Sequence, residues 1–198
     1  MAQIVARGGP PDALLDAAER LLIAEGHAAI STRRVAEEAG MNHGLVHYYF
    51  GSMEELFVQV LERFTGRLID RQRAMYAEDV PFIDKWRTAM SYLDSDQASG
   101  YQKIWFELQA LAWNRADLRH RVARVNAEWR AVLTDAFERA ARDYGIDTEA
   151  FPVPAIVSLV MTFNEGMILE GLSGVGEGQQ PLLDAIDGWL QKLEGGRP

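Results

Sequence analysis

The chain has 198 residues, 48% of them hydrophobic, with a net charge of −9 and no cysteine. That is enough apolar material for a packed core, while a disulfide framework and cysteine-ligated zinc are excluded. The charge argues against general nucleic-acid affinity, but unevenly: residues 1–75 hold eight Lys/Arg against ten Asp/Glu and residues 76–198 hold twelve against nineteen, so modest non-specific binding is expected.

Residues 1–10 read as a loose arm without the apolar core of a signal peptide. No apolar run approaches the length of a membrane span. Pro10 and Pro11 open a first helix where the missing N–H is harmless. Leu14, Leu15, Ala18, Leu21 and Leu22 form its stripe, and Gly26 closes it. Ser31 caps a second, short helix with Val35, Ala36 and Ala39 inward, and Gly40 supplies a left-handed stop. Asn42 N-caps a third helix whose inner side is Val46, Tyr49 and Phe50. Two short helices joined by a glycine-containing turn form a helix-turn-helix pattern, in which the second helix enters the major groove of DNA. In so acidic a chain such a surface has to be small, oriented and salt-sensitive.

Ser52 with Glu55 forms a capping box for a fourth helix over about 53–77. Leu56, Phe57, Val60, Leu61, Phe64, Leu68 and Ile69 repeat there at helical spacing. After Pro81 the periodicity predicts helices over about 82–94, 100–114 and 116–144, the last stopped by Gly145. Pro152 and Pro154 open an unusually apolar helix, Ala155–Leu172, and a final amphipathic helix runs from Leu182 to Leu193. The stretch Gly174-Val-Gly-Glu-Gly178 follows no strand and reads as a linker rather than a nucleotide loop. The fold class is all-α with about nine helices: a helix-turn-helix domain at 10–55, then a larger helical domain at 56–195.

Leu15-Asp16-Ala17-Ala18-Glu19-Arg20-Leu21, Glu25-Gly26, Ser31 to Phe50, Ser52 and Glu54-Glu55-Leu56 fall in one register. That register resembles the N-terminal DNA-binding domain of the TetR family of bacterial transcriptional regulators. The resemblance implies a homodimer, a palindromic double-stranded operator and a small-molecule effector. It places Arg33 toward phosphate, and Asn42, His43, Gly44, Leu45, His47 and Tyr48 on the DNA side of the recognition helix, with Arg34 and Met53 beside them. A lysine is common in the family where His43 and Met53 stand, and a tyrosine where His47 stands, so fixed positive charge is sparse. The resemblance also makes His27 a packing residue.

The residues leave some roles open. Arg33 and Arg34 either meet phosphate or pair with Glu37 and Glu38 at helical spacing. His43 and His47 share one face but lack a third ligand, so no metal site is expected. His120 reads as a surface residue. Trp86, Trp105, Trp113, Trp129, Phe163 and Asn164 are candidates for an apolar effector pocket, or ordinary core. Asn164 and Glu165 serve either that pocket or a dimer contact. Ile156, Leu159, Val160, Phe163, Met167, Leu182, Leu183, Ile186 and Leu190 are the expected dimer surface, with Gly166 and Gly171 permitting close helix approach. The expected function is a cytoplasmic, ligand-responsive repressor with no cofactor and no membrane partner, taking a small apolar or aromatic effector. The alternatives are a helical enzyme, for which no catalytic motif is found, and an effector-independent dimeric regulator.

Overall fold

The computed structural model describes residues 8–26 and 29–196; His27 and most of the N-terminal arm lie outside the described residues. Among those residues there are nine helices and no strand: α1 (Pro10–Glu25), α2 (Thr32–Glu38), α3 (Gly44–Phe50), α4 (Met53–Ala77), α5 (Phe82–Ala98), α6 (Tyr101–Trp113), α7 (Ala116–Tyr144), α8 (Val153–Leu172) and α9 (Gln179–Gly195). The chain falls into two compact units, Met1–Arg67 with Ser99–Val125 and Leu68–Ala98 with Asn126–Pro198. Compactness thus groups α6 and the start of α7 with the helix-turn-helix, whereas the expected division at 55/56 follows role.

In the first unit α1 buries Leu14, Leu15, Ala17, Ala18, Leu21 and Leu22, a stripe at helical spacing. Val35 and Ala36 of α2, Val46 and Phe50 of α3, and Leu56, Phe57, Val60 and Leu61 of α4 join it in the core. Gly40 has φ +66. The Met41 N–H bonds to the Ala36 carbonyl (2.8 Å) and the Gly40 N–H to that of Glu37 (3.1 Å). This paired closure needs a left-handed residue, which glycine adopts without strain, and it turns the chain out of α2 into α3. At the far end of α6, Tyr101 stacks on Phe64 (4.4 Å between centroids). Its hydroxyl shares a buried 2.6 Å hydrogen bond with Thr65. At the near end, Ala112 and Leu118 pack on Val58.

An ionic clasp ties α7 to α4 in this unit. Arg121 donates to Glu55 and to both oxygens of Glu62, and Arg124 also donates to Glu62. Partial burial would push the Glu62 carboxyl up, but the hydrogen bonds and charges of Arg121 and Arg124 outweigh it and hold the group below the usual carboxylate range. The capping box is half formed: Ser52 Oγ accepts from the Glu55 N–H (3.1 Å), while the Glu55 carboxylate is taken by Arg121 and Gln59.

The second unit packs Ile69, Met75, Tyr76, Val132, Leu133, Ala136 and Val157 as its core. Burial pushes the Tyr76 phenol up to about 12. Arg87 of α5 grips Asp187 of α9 through two hydrogen bonds, 2.8 and 3.0 Å. The Tyr144 hydroxyl accepts from the Phe82 N–H and donates to Glu194. Contrary to expectation, α8 is by length and composition apolar enough to cross a membrane, with mean hydropathy 1.4. Asn164 and Glu165 at its centre are costly in hydrocarbon. It fully buries only Val157 within its own chain.

Arg121→Ala leaves two partly buried carboxylates without their main partner. We expect it to cost about 1–2 kcal/mol at neutral pH, less than a fully buried pair because water screens the site. A depressed carboxyl stabilises the fold above its ordinary value of 4.5, and that contribution is lost as pH falls. Thermal melts at neutral pH and below pH 4.5 should therefore show the variant losing less stability on acidification than the parent.

Candidate nucleic-acid interface

The helix-turn-helix presents one polar face because its apolar residues are used up inward. Val46 and Phe50, one helical turn apart, anchor α3 in the core. Rotation by about 100° per residue then turns His47 and Tyr48 outward, and Tyr48 is 77% exposed. Asn42, His43 and Gly44 are exposed at the start of the same helix, while Leu45 and Met53 are half-buried beside them. The nine residues expected at DNA therefore lie on α2, on α3 with its leading turn, and at the first position of α4.

Two expectations about this region are corrected. The N-cap of α3 is His43, one residue later than expected. Asn42 still organises the turn, its Oδ1 accepting from the Gly44 N–H at 2.8 Å, an Asx turn that leads into the helix. Tyr49 was expected in the core but is 37% exposed. It lies edge-on to Tyr48 at 4.9 Å, so a pair of tyrosines stands on the outer side of α3. On a seven-residue helix only the i, i+4 pair reaches the core squarely.

The two arginines of α2 separate clearly. Arg33 is exposed and its Nε donates to Glu37 at 2.7 Å, within its own helix. That hydrogen bond, with the charge behind it, holds the Glu37 carboxyl below its usual range, so phosphate has to compete for Arg33. Arg34 bonds Glu25 across to α1 at 2.9 Å and lies 3.9 Å from Glu38, which Arg20 also contacts. Its charge braces α1 against α2. His47 lies with Nδ1 3.2 Å from the Gly51 carbonyl; with the proton on Nδ1 it donates there, closing the last turn of α3. No group of three or more metal-ligating side chains forms among the described residues.

The six expected pocket residues do not come together in one unit. Trp105 is buried and Trp113 is 72% exposed, both in the first unit. Trp113, the last residue of α6, turns outward between Ala112 and Leu118, which pack on Val58 of α4. In the second unit Trp86 faces Phe163 at 6.2 Å and Trp129 packs on the core. Asn164 has its Oδ1 buried without a hydrogen-bond partner. A separate cavity of about 250 Å³ opens among α5, α8 and α9, lined by Met90, Leu93, Asp94, Met167, Ile168 and Leu183 among others. Sequence patterning missed it, because it depends on which faces of three distant helices meet.

The expected dimer residues also divide. Leu159 (59% exposed) and Leu182 (45%) face outward, and Trp189, not anticipated, is 55% exposed. Ile156, Met167 and Ile186 are half-buried. Leu190 turns inward, Val160 packs on the internal core and Leu183 lines the cavity. Gly166 has open space around it, but Gly171 is closed in by the Gln97 side chain of α5, where a Cβ would sit 2.7 Å from the amide nitrogen. Only Gly166 is therefore available for close approach by another helix.

Residues 14–60 match the family model described as bacterial regulatory proteins, tetR family. The chain is 26% identical over 169 residues to an uncharacterized HTH-type transcriptional regulator of Bacillus subtilis, YfiR, spanning 80% of this chain and 78% of that protein. A structure from Rhodococcus sp. assigned to the TetR-family transcriptional regulators matches with TM-score 0.69 and 25% identity, over 89% of this chain and 96% of that one. The fold also matches the regulator FadR of Bacillus subtilis, solved in complex with stearoyl-CoA, at TM-score 0.70 and 16% identity, over 91% and 95% of the two chains.

If Arg34 is a brace and Arg33 is not, alanine at each position separates them. Arg34→Ala should lower stability by about 0.5–1 kcal/mol, the range of a partly screened ion pair. Arg33→Ala should leave the melting temperature unchanged. Thermal denaturation followed by circular dichroism measures both.

Proposed function

We propose that this chain, a transcriptional regulator of the TetR family, is a ligand-responsive repressor that binds a palindromic operator as a homodimer and leaves it when a small apolar effector binds. The chain is a regulator and not an enzyme. The observation that carries the DNA-binding surface is the outward face of α3, where Tyr48, His47, His43 and Asn42 stand together with Arg33 nearby on α2. Tyrosine and asparagine can meet phosphate and base edges, and Arg33 can exchange Glu37 for phosphate. Since α3 offers no lysine or arginine, affinity rests on geometry and a few contacts, in the cytoplasm where DNA is found.

The dimer is inferred from α8 and α9. Leu159 and Leu169 of α8 and Leu182 and Trp189 of α9 are exposed apolar side chains on helices otherwise pinned to their own core. A two-fold axis relating two such pairs buries all of them in a four-helix contact, and a palindromic duplex presents its half-sites to the two copies of α3 about 34 Å apart, one turn of duplex. For the effector, the second unit offers a buried acceptor on Asn164, the Trp86–Phe163 pair, and the cavity among α5, α8 and α9. The stearoyl-CoA bound by the FadR neighbour supports an effector with a long apolar part. Because α4 and α7 each start in one unit and end in the other, they are the rods through which effector binding can bias the DNA-reading unit. The ligand acts only through its differential affinity for two states.

In a gel-shift or anisotropy assay Tyr48→Ala and Arg33→Ala should each weaken operator binding, by about tenfold for a contact worth 1–2 kcal/mol. Unchanged binding by both variants removes the assigned surface. Trp189→Glu places a charge in the proposed dimer contact and should convert the dimer to monomer in analytical ultracentrifugation, with helicity retained.

A further inference from the structure

The turn joining α6 to α7 carries chemistry that neither the core nor the helix-turn-helix uses. Trp113 is 72% exposed, an unusual position for the largest apolar side chain. Four arginines and one aspartate lie between residues 113 and 124 of a chain whose net charge is −9. Arg121 and Arg124 are committed to Glu55 and Glu62, and Arg115 to Asp117 at 2.9 and 3.1 Å. Arg119 and His120 are exposed and have no ion pair or side-chain hydrogen bond among the described residues. They stand in the N-terminal part of α7, the end at which a helix gives positive charge no dipole stabilisation.

Their location does suggest a partner. The turn packs beside the first two turns of α4: Ala112 and Leu118 touch Val58, Arg121 holds Glu55, and Glu54 acts electrostatically on Arg115. Met53, in the proposed DNA-binding surface, is the first residue of that same helix. The turn thus lies beside the end of α4 that starts in the surface proposed to meet DNA, within one compact unit. That surface is short of fixed charge, because Arg34 is spent on Glu25 and Arg33 is shared with Glu37.

We propose that the α6–α7 turn is a second contact with double-stranded DNA, in which Arg119, with His120, Asn114 and the indole N–H of Trp113, engages backbone phosphates flanking the bases faced by α3. The contact carries no sequence information; it adds affinity and salt dependence. It rests on the DNA-binding surface assigned above, and it extends the footprint beyond the helix-turn-helix.

A fluorescein-labelled, mixed-sequence duplex of about 40 base pairs suffices as probe, since phosphate contacts are independent of sequence. Anisotropy titrations from about 50 to about 200 mM KCl compare the parent with Arg119→Glu and with Arg139→Glu. Arg139 is an exposed arginine later in α7, so its reversal changes the net charge equally. Arg119→Glu should weaken binding about 3- to 10-fold at the lowest salt and reduce the slope of log K against log salt by about 1 per subunit. Arg139→Glu should leave the slope unchanged. Equal behaviour of the two variants, with the parent binding normally, overturns the second contact and leaves the α3 surface standing. A parent that binds this mixed-sequence duplex at no salt concentration also overturns the second contact, while the α3 surface stands or falls with the operator assay above.

Discussion

Two helices of seven residues cannot hold themselves together in water. A helix that short forms too few hydrogen bonds to offset the cost of nucleation. Everything that α2 and α3 display outward therefore depends on four side chains they bury: Val35, Ala36, Val46 and Phe50. These close against the stripe of α1 and the first turns of α4, and the Gly40 turn fixes the angle at which α3 leaves α2. Once the four are seated, the 3.6-residue period leaves no choice about what faces water. Tyr48, His47 and the Asn42 turn become an outer surface as a geometric consequence of an inner one.

The same economy of burial explains the second unit by its incompleteness. Its core is closed by the second half of α4, α5, α7 and one side of α8, and α9 is clamped by Asp187 on Arg87 and by Glu194 on Tyr144. The remaining sides of α8 and α9 keep Leu159, Leu169, Leu182 and Trp189 in water. A chain with this composition gains more by covering those residues than by leaving them exposed. In the proposed dimer a second copy covers them, with the symmetry that a palindrome requires. The proposed dimer contact and the proposed DNA-reading face thus both follow from where apolar surface is and is not satisfied.

Much of this was legible in the sequence where the signal is local. The bounds of α4 and α7 follow from Ser52 ahead of one and Gly145 behind the other, and the helix-turn-helix from its spacing of alanines, glycine and aromatics. What was not legible depends on partners far along the chain. The sequence pattern ends α5 near residue 94, yet Asp96 meets Arg71 at 2.6 Å and the helix continues to Ala98. The start of α9 was placed three residues late, because Gln179 is held there by the Met167 carbonyl of α8. Arg34 looked like a DNA residue as readily as a brace until Glu25 was seen beside it. Trp113 and Trp105 share one helix and one residue type, and only the helix's packing on α4 and α1 separates the exposed one from the buried one.

The central claim is that paired copies of the α3 surface read a duplex. Selection of binding sequences from a pool of random duplexes tests it most directly. The account predicts enrichment of an inverted repeat whose half-site centres lie about one helical turn, or a small multiple of it, apart. Recovery of no enriched sequence, or of a motif without two-fold symmetry, would contradict it.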